Sequence, residues 1–187
     1  MNKETLQKLF VELIRDIYDA EKQLVRALPK LAKAAESEDL SEALRSHLEQ
    51  TQNHVSRLEE VFGQVGVAAK GKPCKGMKGL IEEGAEAVQE QDRGAFRDLA
   101  IIAGAQKAEH YEISAYGTAR TLAEQLNMNQ AVELLEQTEG EEKEADEKLT
   151  QVAVSLYESV DEDEEEEEGE SVSAGASRSG RRSAAKR

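Results

Sequence analysis

The chain has 187 residues, a formal net charge of −15 at pH 7, two prolines, no tryptophan and one cysteine. That charge speaks against nucleic acid as the main partner, because phosphate binding needs a basic face, and it favours cations instead. Few aromatics and abundant Ala, Leu, Glu, Lys and Gln point to an all-α protein.

The length allows one domain over residues 1–160, enough for a substantial core. The opening residues run straight into an amphipathic pattern with no signal-peptide stretch, and no run approaches a membrane span. A lone Cys74 excludes an internal disulfide framework and fits a reducing compartment. The expected location is the cytoplasm, with no membrane partner.

Residues 3 to about 36 predict a long helix. Leu6, Phe10, Leu13, Ile17, Ala20, Leu24, Ala27 and Leu31 alternate at spacings of four and three, the seam of a helical bundle. Pro29 predicts a kink or break after Leu28. Glu21 sits on the shoulder of this seam and is the first inward carboxylate.

After a connection at 37–40, with Asp39 or Ser41 as cap, a second helix runs to about Phe62. Its seam is Leu44, His47, Thr51, His54 and Leu58, so two of the three histidines lie on the inward line. One such histidine is more often a hydrogen-bonded core residue than a ligand. Two, seven residues apart and facing carboxylates, are ligand candidates.

Gly63 to Gly79 reads as the crossover of the bundle, with Cys74 a small loop residue and a short helix within 78–91. A third long helix spans about 95–126, its seam passing through Phe96, Leu99, Ile102, Gln106, Glu109, Ile113 and Tyr116. Glu109 and Glu112 lie one turn apart on one face. A fourth helix covers about 129–159, with Glu142 on the seam and Asp146 one turn later. Gly140 marks a weak point in it. From Asp161 an acidic run gives way to Ser, Ala and Gly and then a basic end, a composition that predicts a disordered tail over 161–187.

Carboxylates are rarely buried unless paired or metal-bound. Four helices here each bring such a group to mid-seam, and Glu21, His54, Glu109, Glu112, Glu142 and Asp146 form the candidate metal-ligand set. Oxygen and imidazole donors suit iron, with manganese as the alternative. A faint repeat pairs Glu21 with Glu112, and Gln50 and His54 with Glu142 and Asp146, which favours two adjacent metal positions. Bundles of the ferritin-like kind use Glu-x-x-His on two helices, and no strict Glu-x-x-His occurs here. The competing reading is ordinary inter-helical ion pairing, for which Lys22, Arg26, Arg57 and Lys143 supply the cations.

The stretch Asp16-Ile17-Tyr18-Asp19-Ala20-Glu21-Lys22-Gln23-Leu24, then Ala27-Leu28-Pro29-Lys30, resembles the opening of the YciF-like stress proteins, a branch of the ferritin-like superfamily. His47-Leu48-Glu49-Gln50-Thr51, Glu109-His110-Tyr111-Glu112 and Glu141-Glu142 resemble its other signatures, so the similarity covers about residues 3–156. It implies an antiparallel four-helix bundle with a short extra helix in the crossover, often a homodimer, with a dinuclear, iron-binding centre and a role in bacterial stress. The family pattern commonly has Glu where this chain has Gln50, which weakens one ligand position. Three function classes follow: oxidation of Fe(II) by oxygen or peroxide, metal binding without turnover, and a helical structural or interaction protein.

Overall fold

In the computed structural model the backbone is described for residues 2–90 and 94–179, and side chains for 2–86, 88–89 and 94–158. Five helices make up these residues: α1 Lys3–Ala34, α2 Glu38–Val65, α3 Lys75–Glu90, α4 Ala95–Gln125 and α5 Asn129–Ser179. None of them is long and apolar enough to cross a membrane.

The caps explain where the helices begin and end. Asn2 opens α1 by accepting from the Thr5 N–H at 2.8 Å. The cap of α2 is Ser37, two residues before Asp39 and four before Ser41, and its hydroxyl accepts the Leu40 N–H. Asp98 of α4 secures this turn: buried, it accepts from Glu36 N–H at 3.0 Å and Ser37 N–H at 2.7 Å. Gly66 closes α2 at φ +75°, and Asn127 turns the chain between α4 and α5 at φ +59°.

Two further expectations are corrected. Pro29 does not interrupt α1, which continues to Ala34 with the exposed ring on its outer side. The missing N–H forfeits only the bond to Val25 C=O, one loss in a helix of 32 residues. Phe96 is 69 % exposed at the start of α4. The backbone of α5 is helical as far as Ser179. Side chains beyond 158 and residues 180–187 lie outside the described residues, and with them any separate character of the expected tail.

The short connections make two helical hairpins, α1–α2 and α4–α5, which pack α1 on α4 and α2 on α5. α1 and α4 are antiparallel: Glu36 meets Asp98 at one end, and Phe10 and Ile14 share a cluster with Ala119 and Ala123 at the other. Between the hairpins the chain lies along α1, Lys72 N–H donating to Arg15 C=O at 3.0 Å. A Cβ at Gly71 would stand 3.1 Å from Asp19 Cβ, which explains the glycine there. α3 then packs on α4 and α1 as the extra crossover helix.

The core has two apolar halves. One contains Leu24, Leu44, Met77, Ile102 and Leu149; the other contains Ile17, Leu58, Phe62, Tyr116 and Leu135. Every bundle helix passes from one half to the other, and at each passage it carries a polar residue: Glu21, then His47 and His54, then Glu109 and Glu112, then Glu142.

Candidate metal centre

These six side chains converge. His47, Glu109, Glu112 and Glu142 each offer a ligand atom within 4.8 Å of the others; Glu21, His54 and Glu142 form a second such group, sharing Glu142 with the first. Glu21, His54, Glu112 and Glu142 are fully buried, and Glu109 and His47 nearly so. Among the described residues nine buried side-chain polar atoms lack a hydrogen-bond partner, and eight belong to this cluster: Glu21 Oε2, His47 Nε2, His54 Nδ1, Glu109 Oε2, and both carboxylate oxygens of Glu112 and Glu142. Buried polar groups are ordinarily paired. Here the unpaired atoms face one another.

The contacts are close without being well aligned. His54 Nδ1 stands 3.0 Å from Glu142 Oε1 and 3.4 Å from Glu21 Oε1, and His47 Nε2 stands 3.3 Å from Glu109 Oε1 and 3.6 Å from Glu142 Oε2. An imidazole nitrogen carries at most one hydrogen and cannot serve two carboxylates together. A cation can. The donors are oxygen and imidazole nitrogen, the set that iron and manganese accept.

Outer partners fix the rings. His54 Nε2 donates to Glu141 Oε2 at 2.8 Å, and Arg57 grips Glu141 with two bonds of 2.7 and 2.8 Å. His47 Nδ1 lies 3.3 Å from Gln50 Oε1. Each histidine therefore spends one nitrogen on an anchor and turns the other to the cluster, the arrangement metal-bound histidines adopt. The Tyr116 hydroxyl donates to Glu21 Oε1 and orients that carboxylate from α4.

The electrostatics record the crowding. Burial pushes Glu21 up to about 7; His54 opposes the rise and Glu142 adds to it. Glu109 and Glu112 are raised well above the usual carboxylate range, by burial first and then by neighbouring carboxylates. Burial works against the His54 cation, yet contact with Glu142 and Glu21 carries it up to about 10. Burial pulls His47 down. Glu142 is held below its ordinary value, since His54 and His47 overcome the cost of its burial. Glu141 is also costly to bury, but Arg57, His54 and Gln137 take it down to about 2.

Of the six residues expected from sequence, five meet here and Asp146 does not. Asp146 is four residues beyond Glu142, about 400° or a net 40° around the helix. It turns toward α4, where Gln106 Nε2 donates to it at 3.0 Å and His110 Nε2 lies 3.4 Å away. His47 takes the remaining place. The seven-residue step from His47 to His54 brings a side chain back to within about 20° on the same face, and that was its signal. Glu141 carried no comparable signal, because its neighbour Glu142 occupies the seam.

The competing ion-pair reading does not describe the inner cluster. Arg57 pairs with Glu141, Lys143 with Glu139, and Lys22 lies over the Tyr18 ring; none reaches the six inward groups. Tyr18 donates to Glu59, also outside the cluster.

Two antiparallel helical hairpins packed around a buried cluster of carboxylates and histidines make this chain a four-helix bundle with an added crossover helix. The family described as Domain of unknown function (DUF892) matches residues 5–161, and the chain belongs to that family. Protein YciF of Escherichia coli (strain K12) is 46 % identical over 156 residues, which are 83 % of this chain and 94 % of that protein. The crystal structure of the E. coli stress protein YciF superposes with a TM-score of 0.79 at 45 % identity, covering 82 % of this chain and 97 % of that one. YcfI from Rhodopseudomonas palustris gives a TM-score of 0.76 at 42 % identity, covering 78 % and 92 %. These relatives bear out the expected YciF-like resemblance over the bundle.

Proposed function

We propose that this protein holds two divalent metal ions, iron in the first instance and manganese as the alternative, and uses them in the redox chemistry of a stress response. The observation that carries the proposal is the convergence of eight unpartnered buried polar atoms on one spot. Each such atom costs about 1–3 kcal/mol when left unsatisfied, a penalty that a bound cation removes.

His54, Glu21 and Glu142 would hold one ion; His47, Glu109, Glu112 and Glu142 would hold the other, with Glu142 common to both. When bound, a pair of Fe(II) ions supplies two electrons to dioxygen or peroxide and ends as Fe(III). The carboxylates favour the ferric charge. Glu141 and Gln50 keep the two imidazoles turned inward. The apolar halves of the core restrict water on both sides.

Cations have a way in. A cavity of about 360 Å³ reaches His47, Gln50 and Glu109 past Asp39, Glu42 and Glu144. Its acidic mouth raises the local concentration of cations. The same proposal includes a homodimer in the cytoplasm: Phe96 and Tyr157 expose large apolar surfaces, and the single Cys74 can form no disulfide within the chain.

The test is metal titration of chelator-treated protein under anaerobic conditions, with Co(II) as a spectroscopic probe beside Fe(II). Saturable binding of about two ions per chain, lost in Glu21→Ala and Glu112→Ala proteins of unchanged helix content, is the expected result. No specific binding by the folded wild type would leave a helical structural or interaction role as the better reading.

A further inference from the structure

A second cavity, of about 320 Å³, lies under the crossover helix between α1, α3 and α4. It is built differently from the acidic one. Leu24, Leu28 and Leu31 line it from α1, Leu80 and Ile81 from α3, and Ile101 from α4. The small residues Gly84, Gly104, Ala105 and Ala108 leave the space open; a Cβ on Gly104 would stand 3.4 Å from Gly84 Cα, so the two helices run close above it.

Its charges are unequally placed. Among the described residues Arg26 and Lys30 are the cations that line it; both are exposed, one turn apart on α1, and neither makes an ion pair among those residues. Its one carboxylate is Glu109, nearly fully buried, with Oε2 unpartnered. Because α1 and α4 are antiparallel, Glu109 stands opposite the Leu24 end, and Leu31 stands opposite Ile101. From Leu24 to Leu31 the cavity wall is about 10 Å long at 1.5 Å per residue.

We infer that this cavity binds a small anionic amphiphile, a medium-chain carboxylate in chemical class, with its headgroup on Arg26 and Lys30 at the rim and its chain against the apolar wall of Leu24, Leu28, Leu31, Leu80, Ile81 and Ile101. The apolar lining suits a hydrocarbon body and rejects a fully polar solute. The paired cations at the rim reject a cationic headgroup. A chain of eight to ten carbons matches a wall of about 10 Å. The chain needs only the apolar walls, so its binding does not require metal, although the cavity shares Glu109 with the neighbouring centre.

The experiment is isothermal titration of the full-length protein with decanoate, decanol and decyltrimethylammonium, in metal-free and Mn(II)-treated samples. Saturable binding of decanoate, with the cationic amphiphile at least about tenfold weaker, is expected. Arg26→Glu/Lys30→Glu changes only exposed residues and is expected to weaken decanoate by about tenfold or more. Ala105→Leu fills the cavity and is expected to abolish binding while the helix content stays unchanged. Equal affinity for the two headgroups, or no saturable decanoate binding by wild type, would overturn the inference. Persistence of wild-type affinity in both variants would overturn it too, by showing that the amphiphile sits elsewhere. Metal content measured on the same samples separates this result from the fate of the metal-centre proposal.

Discussion

His54 faces Glu141 at 2.8 Å through Nε2, and its other nitrogen stands between Glu21 and Glu142. Glu141, held ionised by Arg57, can only accept, so the Nε2 proton is fixed and Nδ1 is left as the inward atom. Glu141→Gln keeps the size but weakens that anchor. Loss of such outer partners costs about 10- to 100-fold in metal affinity. Competition titration with a chelating dye is expected to show a loss in that range, while the metal-free protein keeps its helix content and melts at a lower temperature because the Arg57 contact is weakened too. Unaltered affinity would mean that the Glu141 contact does not position the ring.

Gln50 offers the opposite change. It lies 3.3 Å from His47 Nδ1. Gln50→Glu adds a carboxylate beside the first group of ligands and is expected to tighten the weaker of the two metal sites by about tenfold, the equivalent of about 1.4 kcal/mol. The second step of a Co(II) titration reads this directly. A chain that binds two ions with equal strength before and after the change would show that Gln50 costs nothing.

Asp146 separates the observed cluster from the one expected by spacing. It is engaged with Gln106 and stands apart from both ligand groups. Asp146→Asn is therefore expected to leave metal stoichiometry unchanged, whereas Glu142→Gln, at the residue shared by both groups, is expected to lose both ions. Equal loss in the two proteins would return Asp146 to the ligand set.

The pH dependence of the metal-free protein follows from Glu21. Its folded pKa is raised from 4.5 to about 7, so ionisation favours the unfolded chain. Its contribution to stability is fully present below about 4.5 and is lost as pH rises through 7. Thermal melts of chelator-treated protein are expected to show a lower melting temperature at pH 8 than at pH 5.5. Added Mn(II) should reverse the order, because metal binds the deprotonated ligands. A metal-free protein as stable at pH 8 as at pH 5.5 would contradict the burial of protonated carboxylates.

Much of this was legible in the sequence because helical periodicity is a strong signal. The four-and-three spacing from Leu6 to Leu31 located the buried face of α1, and Glu21 lay on its edge. Glu109 and Glu112 were visible for the same reason. The cap at Ser37 was not, because the competing caps Asp39 and Ser41 follow within one turn, and Asp98 selects among them from a helix 61 residues away. Asp146 was misplaced because spacing treats i and i+4 as equivalent, and a tightly packed centre resolves the 40° between them. The two cavities were invisible, since each is a space between side chains on separate helices.

The central claim is the dinuclear redox centre, and one measurement tests it most directly. Fe(II) is titrated into metal-free protein without oxygen, then oxygen or peroxide is admitted while the ultraviolet–visible spectrum is followed, with Glu21→Ala and Glu112→Ala run alongside. The expected result is about two Fe(II) per chain, oxidised faster than in buffer, with both properties lost in the variants. A well-folded wild-type chain that takes up no Fe(II), or that binds it and leaves its oxidation at the buffer rate, would contradict the claim.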